Sequence, residues 1–296
     1  MEKTLIVITG PTGVGKTAAA IKLAQHLHCD IINADSRQIY RGIPICTAAP
    51  TPEELAAARH HFVAIKELQE SYSAAQFEND VMALLPTLWQ HGDYTVMCGG
   101  SMLYVDAVCR GIDQLPDISP QIRSAVKEKL QRDGLESLVK ELEQLDSEYA
   151  AIIDRKNTSR VCHAVEICRQ SGVPYSTLRT GVAKERDFNI VKLALNIERE
   201  RLFDRINRRV DHMIEAGLER EARSVYHLRH LNSLNTVGMK EMFAIMDGTM
   251  DRHTAIERMK KNTRVYAKKQ LTWYRRDPSI IWCHPDAAVA TALQNI

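Results

Sequence analysis

Gly10-Pro11-Thr12-Gly13-Val14-Gly15-Lys16-Thr17 lies between the apolar run Leu5-Ile6-Val7-Ile8 and an Ala-rich stretch, Ala18 to Leu27. The spacing is G-x-x-x-x-G-K-[ST], a phosphate loop, and a strand before it and a helix after it are the context the motif needs. Glycines let the turn close and expose backbone N–H groups. The helix N-terminus adds a positive dipole end, Lys16 a point charge, and Thr17 a hydroxyl for Mg²⁺. Gly10 to Thr17 is therefore the predicted site for a polyphosphate or pyrophosphate, against the plainer reading of an ordinary strand–helix turn. The motif leaves open whose phosphates are held and what is done to them.

Outward from the loop, residues 4 to 112 alternate strand and helix, the mark of an α/β fold with a parallel sheet. Strands are predicted at Leu5–Thr9, Asp30–Asn33, His61–Ile65 and Tyr94–Cys98. In such sheets ligands sit beyond the carboxyl ends of the strands. Asp35-Ser36 and Gly99-Gly100-Ser101 follow strand ends, as the phosphate loop does, so all three should converge on one crevice. After Gly111 no convincing strand appears until Asn189–Asn196. The stretch between reads as short helices, at Ile118–Arg132, Leu135–Leu145, Ser147–Ile153 and Ser159–Gln170. The expectation is a P-loop NTPase-like core, 1–112 and 188–296, carrying a helical insertion domain, 113–187.

Composition narrows the setting. The 296 residues carry a formal charge of only +2, so a polyanionic partner must be met by local clusters of charge. The seven cysteines contain no C-x-x-C pair, and no H-E-x-x-H occurs among the histidines. That pattern favours free thiols in a reducing compartment over a disulfide framework or a zinc site. With no signal peptide and no membrane-spanning stretch read from the sequence, a cytoplasmic protein is expected.

Charge gathers in two late helices, Arg199–Ala216 and Asp251–Arg275. In the first, Leu202, Ile206, Val210 and Met213 form the core stripe, and Arg201, Arg205, Arg208 and Arg209 occupy other faces. In the second, Met259, Thr263, Tyr266 and Trp273 suit a buried or half-buried face, while Lys261, Arg264, Lys268 and Arg275 fall on another. A charge run is usually a solvated face, but two basic helices beside a phosphate loop raise nucleic acid above that baseline. Tyr266, Trp273 and Tyr274 could stack on unpaired bases, although core packing is the commoner fate.

Four ordered motifs then point to a family. They are the loop 10–17, Asp35-Ser36-Arg37-Gln38-Ile39-Tyr40-Arg41-Gly42, Gly99-Gly100-Ser101-Met102-Leu103-Tyr104, and the helical segment Thr263 to Trp273. Together they resemble the tRNA dimethylallyltransferases over nearly the whole chain. The resemblance implies transfer of a dimethylallyl group from dimethylallyl diphosphate to N6 of the adenosine 3′ of the anticodon. The P-loop would hold the diphosphate leaving group, and the insertion would grip the anticodon stem-loop of tRNA. It further implies Lys16, Thr17-bound Mg²⁺ and Arg209 on the diphosphate. Asp35 would be the base that accepts the amine proton, with Ser101 near the reacting centre. Asp35, Ser36, Arg37, Gln38, Ser101, Arg123, Arg160, Lys240, Arg264, Lys268 and Gln270 carry over as tRNA contacts, and a monomer is expected.

Three departures from the family pattern fall on the tRNA side. Cys46-Thr47-Ala48-Ala49-Pro50 replaces Gly-Thr-Ala-Lys-Pro, Met239 replaces an aromatic, and Asn157 to His163 is less basic than usual. The residues alone also allow a P-loop kinase for a small metabolite or nucleotide, with Asp35 as a substrate-side acid. Against that stands a fourth strand ending in Gly-Gly-Ser instead of an acidic metal partner. A nucleotide-dependent switch protein would leave Asp35 unexplained.

Overall fold

In a computed structural model, which describes residues 2–296, six parallel strands form one sheet in the order β3-β2-β4-β1-β5-β6. They are β1 (Thr4–Thr9), β2 (Ile31–Asn33), β3 (His60–His61), β4 (Tyr94–Cys98), β5 (Asn189–Leu195) and β6 (Ile281–Cys283). β1 is buried along its whole length, as a central parallel strand covered on both faces must be. It runs between β4, with Ile6 opposite Val96, and β5, with Ile6 opposite Val191. The strand order thus turns at β1, which is where an open α/β sheet leaves its crevice.

The first half of the core carries α1 (Lys16–Leu27), α2 (Pro44–Thr47), α3 (Pro52–Ala57), α4 (Ala74–Leu88) and α5 (Met102–Arg110). Capping boxes start α3 at Thr51 and α4 at Ser73. The predicted strand His61–Ile65 is shorter than expected. Phe62 and Ala64 adopt positive φ, 64° and 50°, which side chains tolerate poorly in extended structure, so pairing stops at His61.

One compact unit runs to Arg110 and resumes at Glu185; the other comprises Gly111–Lys184. The second contains α6 (Pro120–Leu145), α7 (Ser147–Ile152), α8 (Thr158–Ser171) and α9 (Tyr175–Leu178). Gly134, at φ 77° and ψ 175°, breaks α6 into the two helices that the sequence suggests. Their core is Val126, Leu138, Leu142, Val161, Val165 and their neighbours. Buried Asp146 ties the turn together, accepting from Tyr149 N at 2.9 Å and Ser176 N at 2.6 Å.

The first unit resumes with α10 (Arg199–Glu215), α11 (Leu218–Val225), α12 (Met239–Met246), α13 (Arg252–Tyr274) and α14 (Ala288–Leu293). Leu202, Ile206 and Val210 are buried, as the stripe on α10 requires, and Met213 is half-buried. α13 lies antiparallel beside α10. Lys260 pairs with Asp211 at 2.8 Å, Arg264 donates to Asn207, and Lys268 stands 5.4 Å from the Phe203 ring centre. Among the described residues no helix is long and apolar enough to cross a membrane.

Candidate active site

The carboxyl ends of β1, β2 and β4 open on a cavity of about 1030 Å³. The phosphate loop forms one end of it. Gly15 sits at the N-cap of α1 with φ 106°, a left-handed conformation that favours glycine, and it offers no capping side chain. The first N–H groups of a helix have no intrahelical acceptor, so those of α1 face the cavity as donors. Thr12, Gly13, Gly15, Lys16 and Thr17 line it. Val14, by contrast, is fully buried in the core under the sheet. Gly10 and Pro11 act through their carbonyls, which accept from Lys16 Nζ at 3.1 and 3.0 Å.

Those bonds hold Lys16 in place without neutralising it. Burial lowers its pKa to about 8; Cys98 and Asp35 favour the charged form, and Arg209 opposes it. The Arg209 guanidinium is likewise lowered by burial, with Asp35 and Glu54 as its opposing carboxylates. Cys98, at the end of β4, is pushed up to about 12 by burial and so lines the cavity as a neutral thiol.

Opposite the loop, β2 ends in the turn 35–38. Asp35 lines the cavity, and its Oδ1 accepts from Arg37 N at 2.9 Å and Gln38 N at 3.3 Å, which fixes the carboxylate and leaves Oδ2 outside those two bonds. Ser101 locks the turn from behind. Its Oγ accepts from Ser36 N at 2.8 Å and donates to Ser36 Oγ at 3.1 Å. The residues predicted as catalytic, Asp35, Lys16, Thr17, Ser101 and Arg209, therefore all line one cavity.

The residues predicted to touch tRNA divide. Asp35, Ser36, Arg37, Gln38, Ser101, Lys240 and Gln270 line the cavity. Two of these side chains are partly occupied within the protein. Arg37 Nη1 donates to the Asn232 and Ser233 carbonyls, and Gln38 Nε2 to those of Thr47 and Ala48. Gln270 is occupied most fully. Only 1% exposed, it accepts from Thr12 N and donates to Gly100 O, each at 2.8 Å, so its amide clasps the phosphate loop. Arg264 and Lys268 are absent from the lining because both turn toward α10, as described above. Arg123 and Arg160 stand exposed on α6 and α8 of the helical unit.

Other expectations are corrected by burial. Met239 is fully buried, so the change from an aromatic there is a matter of packing. Tyr274 is a core residue at 1% exposure, and Trp273 donates to Asp106 Oδ2 at 2.9 Å; of the three aromatics only Tyr266 faces the cavity. Sequence reasoning had read Arg201, Arg205 and Arg208 only as part of a basic helix suited to nucleic acid; in the structure they line the cavity together with Arg209. It also passed over Thr51, Glu54 and the apolar lining from Cys46, Met213, Val237 and Met259. The i, i+4 spacing of Arg201, Arg205 and Arg209 was the available signal for the first group.

Comparison with known proteins gives a consistent result. Residues 38–277 match the family model described as IPP transferase. A tRNA dimethylallyltransferase of Phocaeicola vulgatus is 51% identical, over 97% of this chain and 95% of that protein. One from Bacteroides fragilis is 50% identical over 96% and 94%. Among solved structures, the tRNA isopentenylpyrophosphate transferase of Bacillus halodurans superposes with a TM-score of 0.71 at 36% identity, over 100% of this chain and 95% of that one. A eukaryotic dimethylallyltransferase solved while acting on tRNA gives 0.75 at 27% identity, over 96% and 74%.

Proposed function

The chain belongs to the IPP transferase family and transfers a dimethylallyl group to tRNA, and from that premise we propose how its cavity performs the transfer. The donor is dimethylallyl diphosphate, and the acceptor is N6 of the adenosine 3′ of the anticodon. The bond from N6 to the allylic carbon forms as the carbon–oxygen bond breaks. The electron pair leaves with the diphosphate, and the N6 proton passes to a base.

Each task has a residue suited to it. Negative charge grows on the leaving oxygen, which is where preorganised donors stabilise most. The N–H groups at the start of α1 and Lys16 Nζ are fixed at that end of the cavity before any substrate arrives, and the Arg209 guanidinium lines the same cavity. An exocyclic adenine amine is a weak nucleophile and needs a base within hydrogen-bond reach. Asp35 Oδ2 is the candidate, aimed by the two backbone bonds to Oδ1. Ser101 positions the turn that carries it.

The donor set suits magnesium bound chiefly through substrate oxygens and water. Thr17 supplies a hydroxyl beside the loop, and among the described residues no cluster of three His, Cys, Asp or Glu forms a cage. When bound there, Mg²⁺ would withdraw charge from the departing diphosphate. Recognition of tRNA requires an unpaired base extruded into the cavity, with the exposed Lys240 meeting phosphate near its mouth.

The single observation that carries this reading is the shared cavity of Asp35 and the phosphate loop. The test is to incubate the protein with dimethylallyl diphosphate, Mg²⁺ and unmodified tRNA, then digest and weigh the nucleosides. Prenylated adenosine is expected, and its absence would overturn the reaction. Lys16→Ala should lower turnover about 10²–10³-fold while tRNA still binds. Full activity in that variant would refute the diphosphate grip.

A further inference from the structure

The cavity has a second character away from the phosphate loop, and its lining changes there from charged to apolar. Cys46, Val210 and Met259 are 8%, 1% and 2% exposed, Met213 and Val237 are half-buried, and all five line the cavity. They come from α2, α10, α13 and the segment before α12, and they belong to one core cluster. We propose that this apolar wall seats the prenyl tail and sets its length, accepting a five-carbon allylic diphosphate and rejecting a ten-carbon one. The inference rests on the reaction proposed above.

Geometry along two helices supports it. Met213 follows Arg209 by four residues on α10, one turn farther on, or about 6 Å. That is the reach of a dimethylallyl group from an oxygen held at Arg209. The antiparallel register of α13, set by Lys260 with Asp211 and Arg264 with Asn207, brings Met259 level with Met213. The wall therefore stands where such a tail ends, and a geranyl chain would have to pass through it.

The wall is also backed closely. Were Gly238 to carry a β-carbon, it would lie 2.8 Å from Cys46 Sγ and 3.2 Å from Met259 Cε. Cys46 Sγ lies 3.5 Å from the Val237 carbonyl oxygen. Behind it, Glu221 accepts from Ile45 N and Cys46 N, each at 2.8 Å, and fixes the start of α2. Cys46 and Met259 are thus held close against Gly238, which leaves them little room to give way to a longer tail. Methionine adapts to irregular apolar shapes, so the two methionines can close on a branched tail.

The experiment compares geranyl and dimethylallyl diphosphate as donors to unmodified tRNA, with wild-type protein, Met213→Ala and Met259→Ala. Met213 is half-buried, so its variant reads the effect even if Met259→Ala lowers stability. The ratio of kcat/KM for geranyl over dimethylallyl diphosphate should rise about tenfold or more in both variants, with KM for tRNA unchanged. An unchanged ratio in Met213→Ala, with the wild type prenylating tRNA normally, would overturn the wall as a length gauge while leaving the reaction standing. A rise in KM for tRNA with no change in donor ratio would equally overturn it, assigning the wall to the base. Failure of the wild type to prenylate tRNA would instead remove the reaction itself, and this inference with it.

Discussion

In the loop 10–17 and in the turn 35–38 the same chemical device is used in opposite directions. In the loop, backbone N–H groups at the start of α1 are directed at the cavity, where a substrate oxygen can satisfy them. In the turn, the N–H groups of Arg37 and Gln38 are given an oxygen by the chain itself, Oδ1 of Asp35. The first arrangement binds charge that arrives and departs with each turnover. The second immobilises a charge that must stay, and leaves its other oxygen to handle a proton. The lesson is that a site needing one mobile anion and one fixed anion can build both from backbone donors at strand ends.

The sharpest way to break this comparison is Asp35→Asn. Asparagine still offers an oxygen to the two N–H groups, so the turn should survive while the proton acceptor is lost. We expect kcat to fall by about 10³ with tRNA affinity unchanged, measured by single-turnover prenylation and filter binding. A fall in tRNA affinity with undiminished turnover of bound complex would make residue 35 a binding group only. Ser101→Ala tests the turn's support. It removes the oxygen that accepts from Ser36 N, and kcat should drop about tenfold with the donor KM nearly unchanged. An unaffected kcat would show that the turn holds itself.

The smallest effect is in pH. The free protein's Lys16 titrates near 8, so kcat/KM for the donor should decline as pH rises through that value, a few-fold per half unit at most. The Lys16 contribution to stability moves the other way. Between about 8 and the ordinary lysine value of 10.5 the unfolded chain holds the proton that folded Lys16 has released, so this group favours folding as pH rises. It works against the thiols of Cys29, Cys46, Cys98 and Cys109, whose values, raised by burial, disfavour folding above about 9. Lys16→Met should remove the Lys16 part of both trends, as read by donor kinetics and by the difference between wild-type and variant thermal melts across pH.

How much of this was legible beforehand follows from range. The phosphate loop was legible because its backbone conformations demand glycines at fixed spacing within eight residues. The break in α6 at Gly134 and the stripe on α10 are equally local. The end of β3 was not, since left-handed backbone at Phe62 and Ala64 runs against what those residue types favour. The clasp of Gln270 was not legible because a polar side chain on a basic helix looks solvated until its two partners, 258 and 170 residues away, are seen. The contacts that Arg264 and Lys268 make with the neighbouring helix were hidden in the same way, since their partners Asn207 and Phe203 lie far off in sequence. The apolar wall is assembled from four separate segments, and no window of sequence contains it.

The clasp between Thr12 and Gln270 has an implication for biosynthesis. A ribosome makes the glycine loop 258 residues before the latch that holds it. A nascent chain therefore carries the whole loop, Gly10 to Thr17, long before its clasp exists, and termination ahead of α13 would release the loop without it.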